Sequence, residues 1–168
     1  MTAVAQLRTA YEVAASVTDP ELPMLTLKDL GVLRGVEQEG DVVVVTITPT
    51  YSGCPALVTM QQDLVRALRE AGHACVVRLS LAPAWSSDWI TPRGREALAR
   101  HGISPPGPRG PDAAGPTPLS LQPTRRRTHC PHCGSADVVL LSEFAATACR
   151  ALYRCHGCRE PFEHVKEI

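Results

Sequence analysis

The chain has 168 residues, of which 44% are hydrophobic but only 4% are aromatic, so any core must rest on leucine, valine and alanine. This length suits one ordinary domain, or a small domain joined to a metal-stabilised module. Seventeen basic residues balance seventeen acidic ones, so no overall field favours nucleic acid or an anionic membrane as a partner.

Three features of the sequence predict where in the cell the protein is found. No apolar run approaches the roughly 20 residues that a membrane span needs. Residues 1–15 lack the charged and apolar blocks of a signal peptide. Seven cysteines in a chain without an export signal favour metal binding over disulfides. We therefore expect a protein of the reducing cytoplasm that does not enter membranes.

Residues 1–103 carry the patterns of a small α+β domain. A helical face of apolar residues ends at Asp19-Pro20, because proline disfavours the helical conformation in the residue before it. Two runs rich in valine, at 32–36 and 42–48, predict strands, and the polar turn around Gly40 predicts that they form a hairpin.

The clearest helical periodicity lies at 56–71, where leucine, valine and methionine fill one side of a predicted helix and polar residues fill the other. Gly72 ends this helix. Alternating apolar residues at 75–81 predict a half-buried strand with Cys75 in the core. Thr91-Pro92 predicts the N-cap and the first position of a last helix. The order α-β-β-α-β-α indicates one sheet covered by helices, an α/β sandwich.

A change of composition separates this domain from the C-terminal part. Proline and glycine supply ten of the 25 residues at 104–128. Because proline removes backbone donors and prevents helix formation, this segment is predicted to be a semi-extended linker. Residues 129–168 then form the third region, which contains four of the seven cysteines.

The four cysteines of residues 129–168 form two CxxC pairs, Cys130 with Cys133 and Cys155 with Cys158. Two thiolates two residues apart can reach one ion, and two such pairs supply the four sulfurs of a closed structural zinc site. Iron in the same sulfur site is the alternative. Predicted strands between the pairs indicate a zinc-ribbon β module, and closed coordination leaves no position for catalysis at this metal.

Zinc ribbons often contact nucleic acid, and three arginines at 125–127 invite that interpretation. Residues 129–168 nevertheless hold four basic and five acidic residues and only three aromatic rings. A basic face interleaved with stacking rings is absent from this pattern. We interpret the arginines as a solvated charge run and expect no nucleic-acid partner.

Cys54 lies directly after a predicted strand and before the clearest helix. If Pro55 occupies the first helical position, Cys54 is the N-cap, where backbone N–H groups and the helix dipole favour a thiolate. Gly53 would let a ligand or another backbone approach closely. The alternative is a small buried side chain at a helix start.

Two further segments carry candidate binding groups. Asp19 and Glu21 place two carboxylates in a proline-bracketed turn, which a simple exposed turn explains equally well. Trp85 and Trp89 follow the last predicted strand of the first domain, where loop aromatics serve either as binding anchors or as lids over a core.

Several of these motifs, in this order, resemble a known family. Residues 19–23 (Asp-Pro-Glu-Leu-Pro), 29–31 (Asp-Leu-Gly) and 53–55 (Gly-Cys-Pro) resemble the small SufT-like domain that assists iron–sulfur cluster assembly. The C-terminal motifs point to one particular family that carries this domain. They are the two cysteine pairs, the segment 147–155 and Glu-Pro-Phe at 160–162. The whole chain except the linker resembles the PaaD family, the D subunits of the bacterial phenylacetyl-CoA epoxidase system.

The resemblance implies an accessory role in aerobic phenylacetate degradation. In that family other subunits hold the di-iron oxygenase and the flavin and iron–sulfur reductase, and the D subunit is regarded as a factor for metallocentre maturation. It implies that Cys54 carries iron or a transient iron–sulfur cluster, with Asp19 and Glu21 lining the same site. The implied partners are the other subunits of the epoxidase system, the reductase among them.

Two other functions stay open at this point. An enzyme with Cys54 as nucleophile needs a nearby base, but only His73, at a predicted helix end, follows it closely in the sequence. A zinc-ribbon adaptor would bind other proteins without any metal-carrier chemistry. Between these functions we expect an accessory protein rather than a catalyst.

Overall fold

The computed structural model of the chain describes residues 3–107 and 128–167. They form two compact units, of which one ends at Leu98 and the other begins at Ala99. Most of the predicted linker lies outside the described residues, so its limits stay a prediction. Within the described residues, no helix is both long enough and apolar enough to cross a membrane.

The first unit has the predicted α+β order of helices and strands. A short turn of 3₁₀ helix at Ser87–Trp89 precedes its last α-helix. The principal elements are α1 (Ala3–Ser16), β1 (Leu33–Glu39), β2 (Val42–Ile47), α2 (Leu57–Glu70), β3 (Cys75–Leu79) and α3 (Pro92–Arg100).

An open three-stranded sheet lies at the centre of this unit, in the order β1-β2-β3. β1 and β2 pair antiparallel and form the predicted hairpin, with Gly40 in the turn at a φ of 61°. β2 and β3 are parallel, so the chain must cross over between them, and α2 provides this crossover.

The core forms where α1 and α2 cover one face of this sheet. The periodicity of α2 is confirmed, because the residues that it buries repeat every four positions, at Met60, Leu64 and Leu68. Val58, which was predicted on the same side, is 60% exposed. On β2 the fully buried residues alternate along the strand, at Val43, Val45 and Ile47. α1 contributes Ala10 and Ala14, whose small side chains permit close packing.

The strand predicted at 75–81 is shorter than expected. β3 ends at Leu79, although the Ser80 N–H still donates to the Ile47 carbonyl of β2 at 2.9 Å. The Ser80 hydroxyl donates to the Ala82 carbonyl at 2.9 Å, and the chain turns away from the sheet after Ser80. Leu81 therefore lies outside the strand and is 55% exposed. The alternating pattern could not reveal this local competition between side chain and backbone.

The second unit is built on an open four-stranded sheet. Its strands are β4 (Ile103–Ser104), β5 (Val138–Ser142), β6 (Arg150–Cys155) and β7 (Pro161–Val165). They lie in the order β4-β7-β6-β5, in which β6 pairs antiparallel with both β5 and β7, and the short β4 adds to β7 in parallel. The predicted boundary after residue 103 therefore falls within β4.

Gly31 shows how closely the first unit is packed beside β1. Its φ is 75°, and a Cβ at this position would lie 2.5 Å from the Cβ of Trp89 and 2.7 Å from its carbonyl oxygen. Gly40 also has a positive φ, but a Cβ there would meet no atom within 4 Å. A side chain at Gly40 would therefore cause backbone strain alone, whereas one at Gly31 would add a steric clash.

We expect Gly31→Ala to lower the free energy of unfolding of the first unit by about 3 kcal/mol, since it adds a clash with backbone to the strain of a positive φ. Gly40→Ala should cost only about 1 kcal/mol, from strain alone. Both tryptophans lie in this unit, so urea unfolding followed by tryptophan fluorescence measures the two losses. Equal losses would contradict the packing described for Gly31.

Candidate functional site

Two tight turns, 130–133 and 155–158, carry the four paired cysteines. In the first turn the Gly134 N–H donates to the Cys130 carbonyl at 2.9 Å, and Gly134 has a φ of 73°, which glycine adopts without strain. The second turn joins β6 to β7 and begins with the last residue of β6. The strands of the sheet thus hold the second turn at both ends.

The four sulfur atoms converge on one point. Cys130 Sγ lies 3.6 Å from Cys158 Sγ, and Cys133 Sγ lies 3.5 Å from Cys155 Sγ, so each close contact joins one turn to the other. All four sulfurs lie within 4.8 Å of one another. A tetrahedral zinc ion with Zn–S bonds of about 2.3 Å spaces its sulfurs by about 3.8 Å. The donor set therefore fits one tetrahedral metal ion.

The backbone of the second turn prepares a thiolate. N–H groups of Cys158 and Gly157 donate to the Cys155 sulfur, and with the neighbouring thiols they lower the pKa of Cys155 to about 6. The Glu160 N–H also favours a charged Cys158, but burial and the other three thiols outweigh it and raise the pKa of Cys158 to about 12. Four thiolates therefore coexist only when a cation compensates their charge.

A small aromatic cluster lies beside the sulfurs. The Tyr153 ring stacks on Phe162 with 5.8 Å between centroids, and the fully buried His164 meets Tyr153 edge-on at 5.6 Å. Among the described residues, this core cluster also contains Ala151 and the buried Cys130 and Cys155, and Val138 and Cys158 pack against it. So small a core indicates that metal binding supplies much of the folding free energy.

Sequence reasoning missed the buried ion pair in this sheet. Arg150 on β6 is 6% exposed, and its guanidinium pairs with the Glu163 carboxylate on β7. Its Nε also donates to the Thr147 hydroxyl at 2.9 Å. The ion pair could not be predicted because the sequence analysis did not predict strand β7, which carries Glu163. The alternation of Phe162 and His164 with polar neighbours would have indicated this strand.

Cys54 lies in a turn between β2 and α2, although not at the predicted N-cap. The N-cap of α2 is Ala56, which makes no side-chain capping hydrogen bond. The Cys54 N–H donates to the Tyr51 carbonyl, and the Leu57 N–H donates to the Cys54 carbonyl, both at 3.2 Å. These two consecutive turns delay the start of the helix beyond Pro55 and hold the backbone of Cys54 on both sides.

Gly53 allows this turn to fold back on itself. A Cβ at Gly53 would lie 2.6 Å from the Tyr51 hydroxyl oxygen, so the phenol ring packs directly over the glycine. Tyr51 is 40% exposed and Cys54 is half-buried. The thiol therefore stands in a defined, partly solvent-accessible turn rather than inside the core.

Asp19 and Glu21 share one turn but differ in environment. The Asp19 side chain is buried, and its Oδ1 accepts the backbone N–H groups of Glu21 at 2.8 Å and Leu22 at 2.9 Å. Glu21 is exposed. One Asp19 oxygen thus organises the turn, and a joint site of both carboxylates with Cys54 stays a prediction.

Asp29 anchors the loop before β1 to the start of α3. Its Oδ2 accepts from the Thr26 hydroxyl at 2.8 Å, and its Oδ1 accepts from the Thr91 hydroxyl at 2.9 Å. Thr91 in turn accepts the Gly94 N–H at 3.0 Å, which confirms it as the N-cap of α3. The buried Asp29 carboxylate therefore acts in packing.

The two tryptophans act mainly in packing. Trp85 is 3% exposed, and its indole N–H donates to the Leu30 carbonyl at 3.0 Å, which makes it a lid over the core. Trp89 packs against Gly31, and the Arg34 guanidinium lies 3.6 Å from its ring centroid. Of the two interpretations of this loop, the structure favours the core lid.

The remaining two cysteines differ from Cys54. Cys75 is half-buried on β3 with its Sγ 3.8 Å from the Val65 carbonyl oxygen, and burial raises the pKa of its thiol although the Arg69 guanidinium opposes this shift. Cys149 precedes β6, and its sulfur lies 3.1 Å from the Thr147 hydroxyl. Neither thiol belongs to the four-sulfur cluster.

We expect about one zinc ion per chain, and loss of that zinc in Cys133→Ser or Cys158→Ser, because three thiolates no longer close the tetrahedron. The second unit should then lose its protection against hydrogen exchange. Elemental analysis and exchange measured by mass spectrometry report the two effects. Cys149→Ser is the control and should keep its zinc; a Cys133→Ser protein with full zinc content would refute the assigned ligand set.

Two protein families match separate parts of the chain. The family described as iron–sulfur cluster assembly protein matches residues 9–79, which include Cys54. The PaaD zinc beta ribbon domain matches residues 114–166, which include all four clustered cysteines. The second match agrees with the tetrahedral sulfur geometry and identifies the module as a zinc ribbon.

One solved structure resembles the first domain, and one curated protein resembles the whole chain. A crystal structure of a DUF59 domain of unknown function from Bacillus anthracis superposes with a TM-score of 0.52 at 26% identity, over 56% of this chain and 92% of that one. A protein of Escherichia coli strain K12, described provisionally as the D subunit of 1,2-phenylacetyl-CoA epoxidase, is 45% identical over 97% of this chain and 94% of its own length. The chain therefore belongs to the PaaD family, the D subunits of phenylacetyl-CoA epoxidase.

Proposed function

We propose that this chain is an accessory subunit that supports maturation of the iron–sulfur or di-iron centre of its partner subunits in the phenylacetyl-CoA epoxidase system. One observation carries the proposal: a match to iron–sulfur cluster assembly proteins and a PaaD zinc ribbon occur in the same chain. The relative from Escherichia coli supports the pathway, since its name makes it one subunit of several.

Cys54 is the thiol that would carry iron or a cluster in this proposal. The four ribbon cysteines are committed to a closed metal site, which leaves no position for cargo. Burial raises the pKa of Cys75, which keeps that thiol protonated. Cys54 lies within the segment matched by the assembly family and on a turn that is partly open to solvent.

The turn gives Cys54 properties that suit transfer. Hydrogen bonds on both sides fix the backbone of Cys54, so the thiol needs little reorganisation when it binds a metal. Thiolate is a soft ligand that suits iron and iron–sulfur clusters. A single protein thiolate leaves other coordination positions for groups of a partner, as release of a cargo requires.

Asp19 and Glu21 are proposed to line the same site. Glu21 is exposed and Asp19 is buried. Carboxylate oxygens are harder ligands than thiolate and would suit iron at an early stage of transfer.

A protein-interaction adaptor without carrier chemistry is the second candidate. The observation that favours it is the zinc ribbon itself, whose outer strand exposes Leu141 and, in the following loop, Phe144. Both functions require contact with another subunit, and they differ only in whether Cys54 is needed.

We expect Cys54→Ser to give a folded protein that fails to restore growth on phenylacetate in a strain lacking this chain. No side-chain cap is lost, because Ala56 is the N-cap of α2, and serine cannot replace a thiolate as a soft ligand. Growth on succinate should be unaffected. Thermal melting should show a stability within about 1 kcal/mol of the original protein.

Cys75→Ser is the matched control for this test. The serine hydroxyl can keep the contact with the Val65 carbonyl, so the variant should lose about 1 kcal/mol of stability but support normal growth. Full growth with Cys54→Ser would remove the carrier role and leave the adaptor as the better account.

A further inference from the structure

Within the described residues, the outer strand of the zinc ribbon has little of the usual protection of an exposed strand. β5 is an end strand of its sheet and has the sequence Val-Val-Leu-Leu-Ser, without charge or proline. Native proteins usually guard such edges with charges, prolines, a β-bulge or a covering segment. Of these, the described residues show an irregularity between Leu140 and Ser142 in the pairing of β5 with β6. The apolar residues exposed at this edge are Val139 (39%), Leu140 (39%), Leu141 (52%) and Phe144 (64%). We name these four residues the β5 edge.

The β5 edge also presents backbone hydrogen-bonding groups. The His156 N–H donates to the Asp137 carbonyl, so Asp137, and Val139 two residues later, direct their backbone groups toward β6. Because alternate residues face opposite sides, Leu140 directs its N–H and carbonyl groups away from β6, as Val138 does with its carbonyl. The Val138 N–H already donates to the Ala136 carbonyl at 3.1 Å. Within the described residues no strand pairs with β5 on that side.

Two cations flank the edge, one near each end. Arg154 is exposed and stands opposite Val139 in the strand register. Lys166 lies near the other end, with its Nζ 4.3 Å from the centroid of the Phe144 ring. Among residues 3–107 and 128–167, neither cation has a carboxylate within ion-pair distance.

The two acidic residues that adjoin β5, Asp137 and Glu143, each have a partner. Asp137 Oδ1 lies 3.2 Å from His156 Nδ1, and Glu143 has a contact of its own. The edge thus offers a short apolar strand between two cations, and the complementary ligand is an extended apolar segment with carboxylates at its ends.

We propose that the β5 edge docks an extended, apolar segment, flanked by acidic residues, of another subunit of the epoxidase system, which adds a fifth strand to the ribbon sheet. A second copy of this chain is a poorer occupant. Antiparallel pairing of two β5 strands about Leu140 would bring Arg154 of each copy toward Lys166 of the other. These positive charges would repel each other, because neither cation has a carboxylate partner among the described residues. The proposal rests on the assignment to the epoxidase system but not on the role of Cys54.

The test compares Leu141→Lys with Leu81→Lys, since the two leucines are almost equally exposed, at 52% and 55%, but only Leu141 lies on the β5 edge. Each variant, in the full zinc-loaded chain, is titrated against each of the other epoxidase subunits, purified separately. Leu141→Lys should weaken binding of one subunit by about tenfold or more. Leu81→Lys should leave the Kd within about twofold of the original value.

Charge reversal at both ends provides a second measurement. Arg154→Glu with Lys166→Glu should also weaken binding of the same subunit, and raised salt should weaken binding of the original chain. Zinc content verifies that each variant has kept its ribbon.

Three results would overturn the docking proposal: Leu141→Lys binding like the original chain, no subunit binding at all, or light scattering that shows self-association abolished by Leu141→Lys. The growth test with Cys54→Ser measures the carrier role and does not depend on the β5 edge. A normal Leu141→Lys titration would therefore remove this docking surface without touching the proposed carrier role.

Discussion

The second unit depends on the mutual repulsion of four thiolates and on the cation that removes it. Two separate turns bring their sulfurs within 4.8 Å of one another, and two of these cysteines are almost fully buried. Charged sulfurs at this spacing destabilise the fold until a divalent ion links them. Because the adjacent apolar core is small, we expect the same ion to stabilise the sheet that carries the β5 edge.

In the proposed function, the two units would divide two kinds of metal chemistry. In the ribbon, four sulfurs can close the coordination sphere of one ion, and backbone N–H groups stabilise a thiolate among them, which suits permanence. In the proposed carrier site a single thiol stands on a turn whose backbone is fixed by Tyr51 and Leu57 while its side chain stays partly open. A closed site keeps its ion, whereas an open one can accept and release cargo. The ribbon's contribution to the proposed function is then to hold a partner.

Local signals in the sequence were enough where one interaction dominates. The CxxC spacing predicted the four sulfur ligands that converge, and the periodicity of α2 predicted its buried face. Prediction failed where distant or competing contacts decide. β4 has only two residues and exists because β7 offers it an edge. The prediction that Cys54 is the N-cap of α2 was wrong, because two consecutive turns delay the start of the helix to Leu57. The Gly-Cys-Pro motif alone does not predict these turns.

The iron content of the partner subunits tests the maturation role most directly. The oxygenase and reductase subunits would be purified from strains with and without this chain, and iron would be measured per polypeptide. A maturation factor predicts that at least one subunit accumulates as protein but lacks most of its iron, and that the complete chain restores it. Full iron occupancy of every subunit in the strain without the chain would contradict the proposed function.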